Sequence, residues 1–79
     1  MEIQNFQDSI GDISRKFGGR LRELRLERNL SQSQMAEKLL VGKSTYANWE
    51  QGRREPSLYY LIMLSKIWKI SMDELFNFV

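Results

Sequence analysis

The apolar positions of this chain recur at steps of three and four residues almost from end to end, the period of amphipathic helices and not of strands. Ile3, Phe6, Ile10, Ile13 and Phe17 form a first narrow stripe, weakened by Gly11, which predicts a short helix over residues 1–13, with a frayed arm as the alternative. Ser14 reads as the N-cap of a helix running to about residue 28, with Phe17, Leu21 and Leu24 on its inner face. Gly18 and Gly19 each cost about 1 kcal/mol inside a helix, which places them near its first turn. Asn29 suits the left-handed position that ends a helix, and Leu30 then points inward.

Ser31 with Gln34 three residues later forms a capping box for a second helix, whose apolar face is Met35, Ala36, Leu39 and Leu40. A third helix lies between Gly42 and Gly52, with Tyr46 and Trp49 on one side. Residues 53–56 are a loop, because Pro56 disfavours helix at the residue before it. Ser57 opens a fourth helix carrying Leu58, Leu61, Ile62, Leu64, Ile67 and Trp68. Ser71 and Glu74 form a second capping box before a short helix over residues 72–76. Nowhere do β-branched residues alternate with polar ones. The expected architecture is all-α: a compact five-helix bundle over residues 15–79, preceded by a short extension over residues 1–14.

Composition narrows the chemistry. A chain of 79 residues is one domain. It has no Cys and no His, which removes disulfides, thiolate metal sites, the commonest metal ligand and the usual general base. Gly18-Gly19 lacks the context of a phosphate-cradling loop, and five short helices barely enclose a ligand pocket. The expectation is therefore no enzyme, no cofactor, no metal and no small-molecule ligand. No apolar run approaches the roughly 18 residues of a membrane span, and the N-terminus is acidic, unlike a secretory signal; a cytoplasmic protein is expected. The net charge of +2 matters less than its distribution. Residues 1–14 carry −3, residues 15–69 carry +7, and Asp73 and Glu74 close the chain. A basic middle between acidic ends suits a polyanion-binding body as well as it suits a solvated surface.

The most informative window is residues 32–52. Two helices of about eight residues are separated by about three, too few for an antiparallel return, so they cross steeply. Ala36 is small enough for the crossing, and Met35, Leu39, Val41, Tyr46 and Trp49 are spaced to fill the wedge. Lys43, Ser44, Ala47 and Asn48 then share the outward face of the third helix.

Leu30-Ser31-Gln32, Ala36-Glu37-Lys38-Leu39, Ser44-Thr45, Trp49-Glu50 with Gly52, and Pro56-Ser57, in register with Ile70-Ser71-Met72-Asp73-Glu74-Leu75-Phe76, closely resemble the Cro and phage-repressor type of helix-turn-helix proteins, the XRE family. The resemblance covers about residues 17 to 76. It implies a lambda-repressor-like DNA-binding domain whose third helix enters the major groove of double-stranded DNA. Lys43, Ser44, Ala47 and Asn48 match base-reading positions: Lys donates to guanine, Asn pairs with adenine, and a small residue meets a thymine methyl. Gln32, Thr45, Gln51, Arg53 and Arg54 match positions near phosphate. Arg25 and Glu50 match a buried ion pair that leaves part of Arg25 near phosphate as well. The chain departs from the family pattern at Leu40 and Lys69, where glycine is usual, and at Gly42, where a Ser or Thr cap is usual.

The resemblance implies a bacterial or phage transcriptional regulator, acting as a homodimer on a palindromic operator and repressing by occupying it. A protein-interaction adaptor or antitoxin-like module is the competing reading, and a truncation of residues 1–14 would discriminate. Leu75, Phe76, Phe78 and Val79 end the chain with more apolar surface than a free tail needs, so a dimer contact is expected there, with local packing as the alternative. Tyr46, Trp49 and Trp68 are expected in the core, and Arg20, Arg22 and Arg28 on a solvated face.

Overall fold

The computed structural model describes residues 9–78, and every regular element among them is an α-helix. The five are α1 (Ile10–Glu27), α2 (Gln32–Leu39), α3 (Lys43–Glu50), α4 (Leu58–Trp68) and α5 (Met72–Leu75). Capping boxes open three of them, at Ser9–Asp12, Ser31–Gln34 and Ser71–Glu74. In each, the serine hydroxyl accepts from the backbone N–H three residues on, and that residue's side chain accepts from the serine N–H. The two boxes expected at Ser31 and Ser71 are present. Ser57 occupies the N-cap position of α4 but makes no capping hydrogen bond, and Gly42 offers α3 no side chain to cap with.

The start of α1 differs from expectation. Ser9, not Ser14, is its cap, and the helix runs unbroken from residue 10 through residues 14 and 15. The backbone N–H and hydroxyl of Ser9 together hold the Asp12 carboxyl below its usual range, which favours the charged form at the positive end of the helix. Ser14 is a buried residue inside the helix, and its hydroxyl donates to Glu55 Oε2 at 2.6 Å. Of the first apolar stripe, Phe17 reaches the core and Ile10 and Ile13 stay exposed, while Ile3 and Phe6 lie outside the described residues. Gly18 and Gly19 fall in mid-helix. The reason is close approach: a Cβ on Gly18 would stand 2.6 Å from the Trp49 carbonyl oxygen and closer still to that of Glu50. The propensity cost of glycine is accepted because α3 ends directly against α1.

The core takes side chains from every helix: Phe17, Leu21 and Leu24 from α1, Met35, Ala36 and Leu39 from α2, Tyr46 and Trp49 from α3, Leu64 and Trp68 from α4, and Leu75 from α5. Helices of eight residues or fewer do not persist alone in water, so this shared core is what holds α2, α3 and α5. Asn29, Leu40 and Lys69 all adopt the left-handed conformation, with φ between 54° and 58°. For Leu40 and Lys69 this strain costs about 1–2 kcal/mol each. Leu40 is also 89% exposed, so it recovers nothing through packing.

The C-terminal residues fold back on the body. Leu75 is completely buried in the core of the protomer, in line with the local-packing alternative to the dimer contact expected of it. Phe76 and Phe78 are half-buried against Phe17, with ring centroids 5.4 and 5.6 Å from it. Val79 lies outside the described residues. Two of the arginines expected on a solvated face instead brace these elements. Arg20 donates from Nε and Nη2 to the Glu74 carbonyl. Arg28 donates to the Leu24 and Trp68 carbonyls and stacks 5.4 Å over the Trp68 ring. Arg28 thereby satisfies carbonyls at the ends of α1 and α4, and Arg20 joins the Asn77 N–H, which donates to the same Glu74 carbonyl at 3.2 Å.

Candidate nucleic-acid interface

α2 and α3 are joined by residues 40–42. The Leu40 and Val41 N–H groups donate to the Glu37 and Ala36 carbonyls, which turns the chain tightly off the end of α2. Ala36 is buried at the crossing, and Tyr46 and Trp49 fill the wedge beneath it, their rings in edge contact with centroids 6.0 Å apart.

This packing divides α3 by face. Tyr46, Trp49 and Glu50 are buried. Lys43, Ser44 and Thr45 are exposed, and Ala47 and Asn48 are half-buried. Lys43, Ser44, Ala47 and Asn48 therefore line one open side of a helix whose other side is locked into the core. Gln51, Arg53 and Arg54 are exposed in the loop that follows. The loop is tied to α3: the Gln51 N–H donates to the Ala47 carbonyl, and the Arg53 and Arg54 N–H groups both donate to the Asn48 carbonyl, at 2.9 and 3.4 Å. Gly52 adopts a φ of +75° between them, a conformation open to glycine.

Beneath α3 lies a buried polar network. Arg25 Nε and Nη2 donate to the two oxygens of Glu50 at 2.6 and 3.0 Å, a two-pronged geometry matched to carboxylate. Arg25 Nη1 donates to the Leu30 carbonyl at 2.8 Å, and Gln32 Nε2 donates to Glu50 Oε1 at 3.0 Å. The side chains of Arg25 and Glu50 are 8% and 2% exposed. Arg25 thus faces inward and offers little surface to a phosphate. Gln32, half-buried at the first turn of α2, is held by the same carboxylate beside the positive end of that helix.

Burial pushes the Glu50 carboxyl up, but the hydrogen bonds from Arg25 and Gln32, with the Tyr46 hydroxyl close by, outweigh it and leave the group below its ordinary value. The bond to Glu50 likewise raises the Arg25 guanidinium against the effect of burial. Burial first, then the adjacent Glu50 carboxylate, pushes the Tyr46 phenol far above its usual range. The Tyr46 hydroxyl makes no hydrogen bond of ordinary geometry among the described residues, yet it lies near enough to the pair to feel both charges.

Among the described residues, no group of three His, Cys, Asp or Glu side chains is placed to hold a metal ion. No helix among them is long and apolar enough to cross a membrane. An apolar groove of about 180 Å³ lies between α1, Pro56, Leu61 and the rings of Phe76 and Phe78, with Ser14 and Glu55 in its lining.

The expected residues of α3 are exposed or half-buried on its open side and those of the following loop are exposed, while Arg25 forms the expected buried pair with Glu50, offering little surface to a phosphate, and Leu75 is buried in the core. Sequence reasoning missed the Ser14–Glu55 hydrogen bond and the close approach at Gly18. Neither leaves a trace in a single sequence, since the partners are far apart along the chain and Gly18 reads no differently from Gly19.

A steep helix pair with a locked inner face and a polar outer one is a helix-turn-helix. A helix-turn-helix family model matches residues 21–75, more than half of the chain, and the chain belongs to that family in its XRE-type form. It is similar to the HTH-type transcriptional activator BcrR of Enterococcus faecalis, 36% identical over 78% of this chain and 30% of BcrR. It is also similar to the cryptic phage CTXphi transcriptional repressor RstR of Vibrio cholerae, 37% identical over 75% of this chain and 53% of RstR. Among solved structures it resembles the restriction-modification controller protein C.AhdI from Aeromonas hydrophila, with a TM-score of 0.72, 38% identity, and coverage of 81% of this chain and 96% of that one. The chain spans about half or less of the length of these two curated relatives.

Proposed function

We propose that this chain is a sequence-specific regulator of transcription, binding double-stranded DNA as a homodimer on a two-fold symmetric operator and repressing by occupying it, in a bacterial or phage setting. The observation that carries the reading is the division of α3: Tyr46, Trp49 and Glu50 fix the helix from within, while Lys43, Ser44, Ala47 and Asn48 stand together on its open side. A rigid helix presenting Lys, Ser, Ala and Asn suits the donor, acceptor and methyl pattern of the major groove. Arg53, Arg54, Gln51 and Thr45 flank that face, where backbone phosphate would lie, and Gln32 adds an amide at the first turn of α2.

The homodimer is supported by α4. Its sequence, LYYLIMLSKIW, is apolar on every side and carries one charge, yet it buries only Leu64 and Trp68 fully. Leu58, Tyr59 and Ile62 remain 69%, 63% and 43% exposed. A helix apolar all round belongs in an interior. A second copy laid against this side would cover it, and reading two half-sites one turn of duplex apart requires the two recognition helices to stand roughly 34 Å apart.

Selection of bound duplexes from a random pool tests the reading, with Lys43→Ala and Asn48→Ala alongside the wild type. The expected result is a palindromic consensus, relaxed at particular base pairs by about 1–3 kcal/mol in each variant. Absence of enrichment at moderate salt would overturn it.

A further inference from the structure

The segment of α1 before the family-matched residues 21–75 touches the end of α3 at one point and the loop that follows it at two. Gly18 lies against the Trp49 and Glu50 carbonyls so closely that a Cβ would stand 2.6 Å from the first. Gly52 lies against the backbone of Arg15, where an added Cβ would meet both Cα and N at 2.8 Å. Ser14 donates to Glu55 at 2.6 Å, a short hydrogen bond to an ionised acceptor, at a residue only 6% exposed. Arg53 and Arg54 sit between the second and third of these points, and their N–H groups are tied to Asn48.

We propose that this first half of α1 is a splint for residues 51–56, and that Ser14 is a positioning residue for DNA binding. The inference rests on the reading of Arg53 and Arg54 as phosphate contacts. Gly52 fixes where the loop leaves α3 and Glu55 fixes where it returns toward α4. The backbone of the two arginines is therefore ordered before any DNA arrives, and binding does not have to order it. Without the Ser14 bond, the already exposed Glu55 loses its tie to α1, the return end of the loop is anchored only by the buried Pro56, and the arginines reach phosphate from many geometries instead of one.

Binding of fluorescently labelled duplex carrying the selected site, titrated over a range of salt, tests this. The variants are Ser14→Ala, Ser14→Thr and the pair Arg53→Ala with Arg54→Ala. Ser14→Ala is expected to weaken binding about three- to tenfold at moderate salt and to reduce the log–log salt slope by about one. Base preference should stay unchanged, and the thermal midpoint should remain well above the assay temperature. Ser14→Thr keeps the hydroxyl and restores both affinity and slope. If the double arginine variant leaves the slope unchanged, the phosphate reading itself falls and the splint with it. If the arginine variant loses slope but Ser14→Ala binds as the wild type does, the splint alone is overturned. A weaker Ser14→Ala with an unaltered slope also overturns it, since that is the mark of a general structural defect.

Discussion

Two adjacent glycines in one helix should respond to the same substitution with opposite signs. In a helix interior, Gly→Ala ordinarily stabilises by about 1 kcal/mol, because the unfolded chain loses freedom and the helix gains propensity. Gly19 meets that condition, since a Cβ there has nothing within 4 Å. Gly18 does not. Its Cβ would meet two carbonyl oxygens of the α3 terminus, falling about 1 Å short of ordinary contact distance. Backbone atoms cannot rotate away, so α1 and α3 must separate across a core that includes Leu21 and Trp49. Overpacking of this kind costs about 1–3 kcal/mol, and a clash with backbone belongs at the upper end. Subtracting the propensity gain leaves Gly18→Ala about 2 kcal/mol less stable than the wild type. For a domain of this size that lowers the thermal midpoint by about 8–16 °C, while Gly19→Ala raises it by about 4–8 °C. Circular dichroism melts of the three proteins at one concentration read both shifts. A Gly18→Ala protein as stable as the wild type would refute the argument that close approach, and not chance, keeps glycine at this position.

Further expectations follow from the turn, the buried pair and α4. Leu40→Gly should stabilise by roughly 0.5–1 kcal/mol in urea unfolding, because it relieves left-handed strain at a side chain that packs against nothing; a loss of stability would show that Leu40 makes contacts the fold does not reveal. Glu50→Ala leaves the Arg25 charge buried without its partner and should cost about 3–5 kcal/mol, whereas Arg25→Met combined with Glu50→Leu should cost less than that; equal losses would mean the volume matters and the charge does not. Because the Glu50 carboxyl is held below its ordinary value, its contribution is complete above the unfolded value of about 4.3 and is lost as pH falls through the lower folded one, so the Arg25→Met, Glu50→Leu protein should show a flatter acid limb in stability against pH. Ile62→Glu should shift sedimentation toward monomer with little change in the protomer's melt; an unaltered dimer would place the two-fold contact elsewhere than α4.

Most of the architecture was legible because short amphipathic helices advertise themselves. The capping boxes at Ser31 and Ser71 and the inward set of Met35, Ala36, Leu39, Tyr46 and Trp49 follow from local spacing, whereas Leu40, expected on the apolar face of α2, is its exposed left-handed cap. What went unread was tertiary. Ser14 looks like a cap because serine before an apolar run usually is one, and only the position of Glu55 makes it a buried donor. Arg20 and Arg28 look solvated because their acceptors are main-chain carbonyls tens of residues away, invisible to charge patterning. The polar face of α3 was legible as a face and Arg25–Glu50 as a buried pair through the family resemblance, but how little of Arg25 is left exposed was not, since the same residue type serves phosphate and carboxylate equally well.

The Asn48 carbonyl, which accepts from both Arg53 and Arg54, has a consequence for how such a domain diversifies. The loop is held by main chain at residue 48, and the side chain at residue 48 takes no part in that attachment. On the reading proposed above, residues 43, 44, 47 and 48 can therefore be exchanged to suit a new target while the arginines keep their place. Variation in what is read is uncoupled from variation in how firmly the duplex is held, so a lineage can drift from one target to another through intermediates that never let go of DNA.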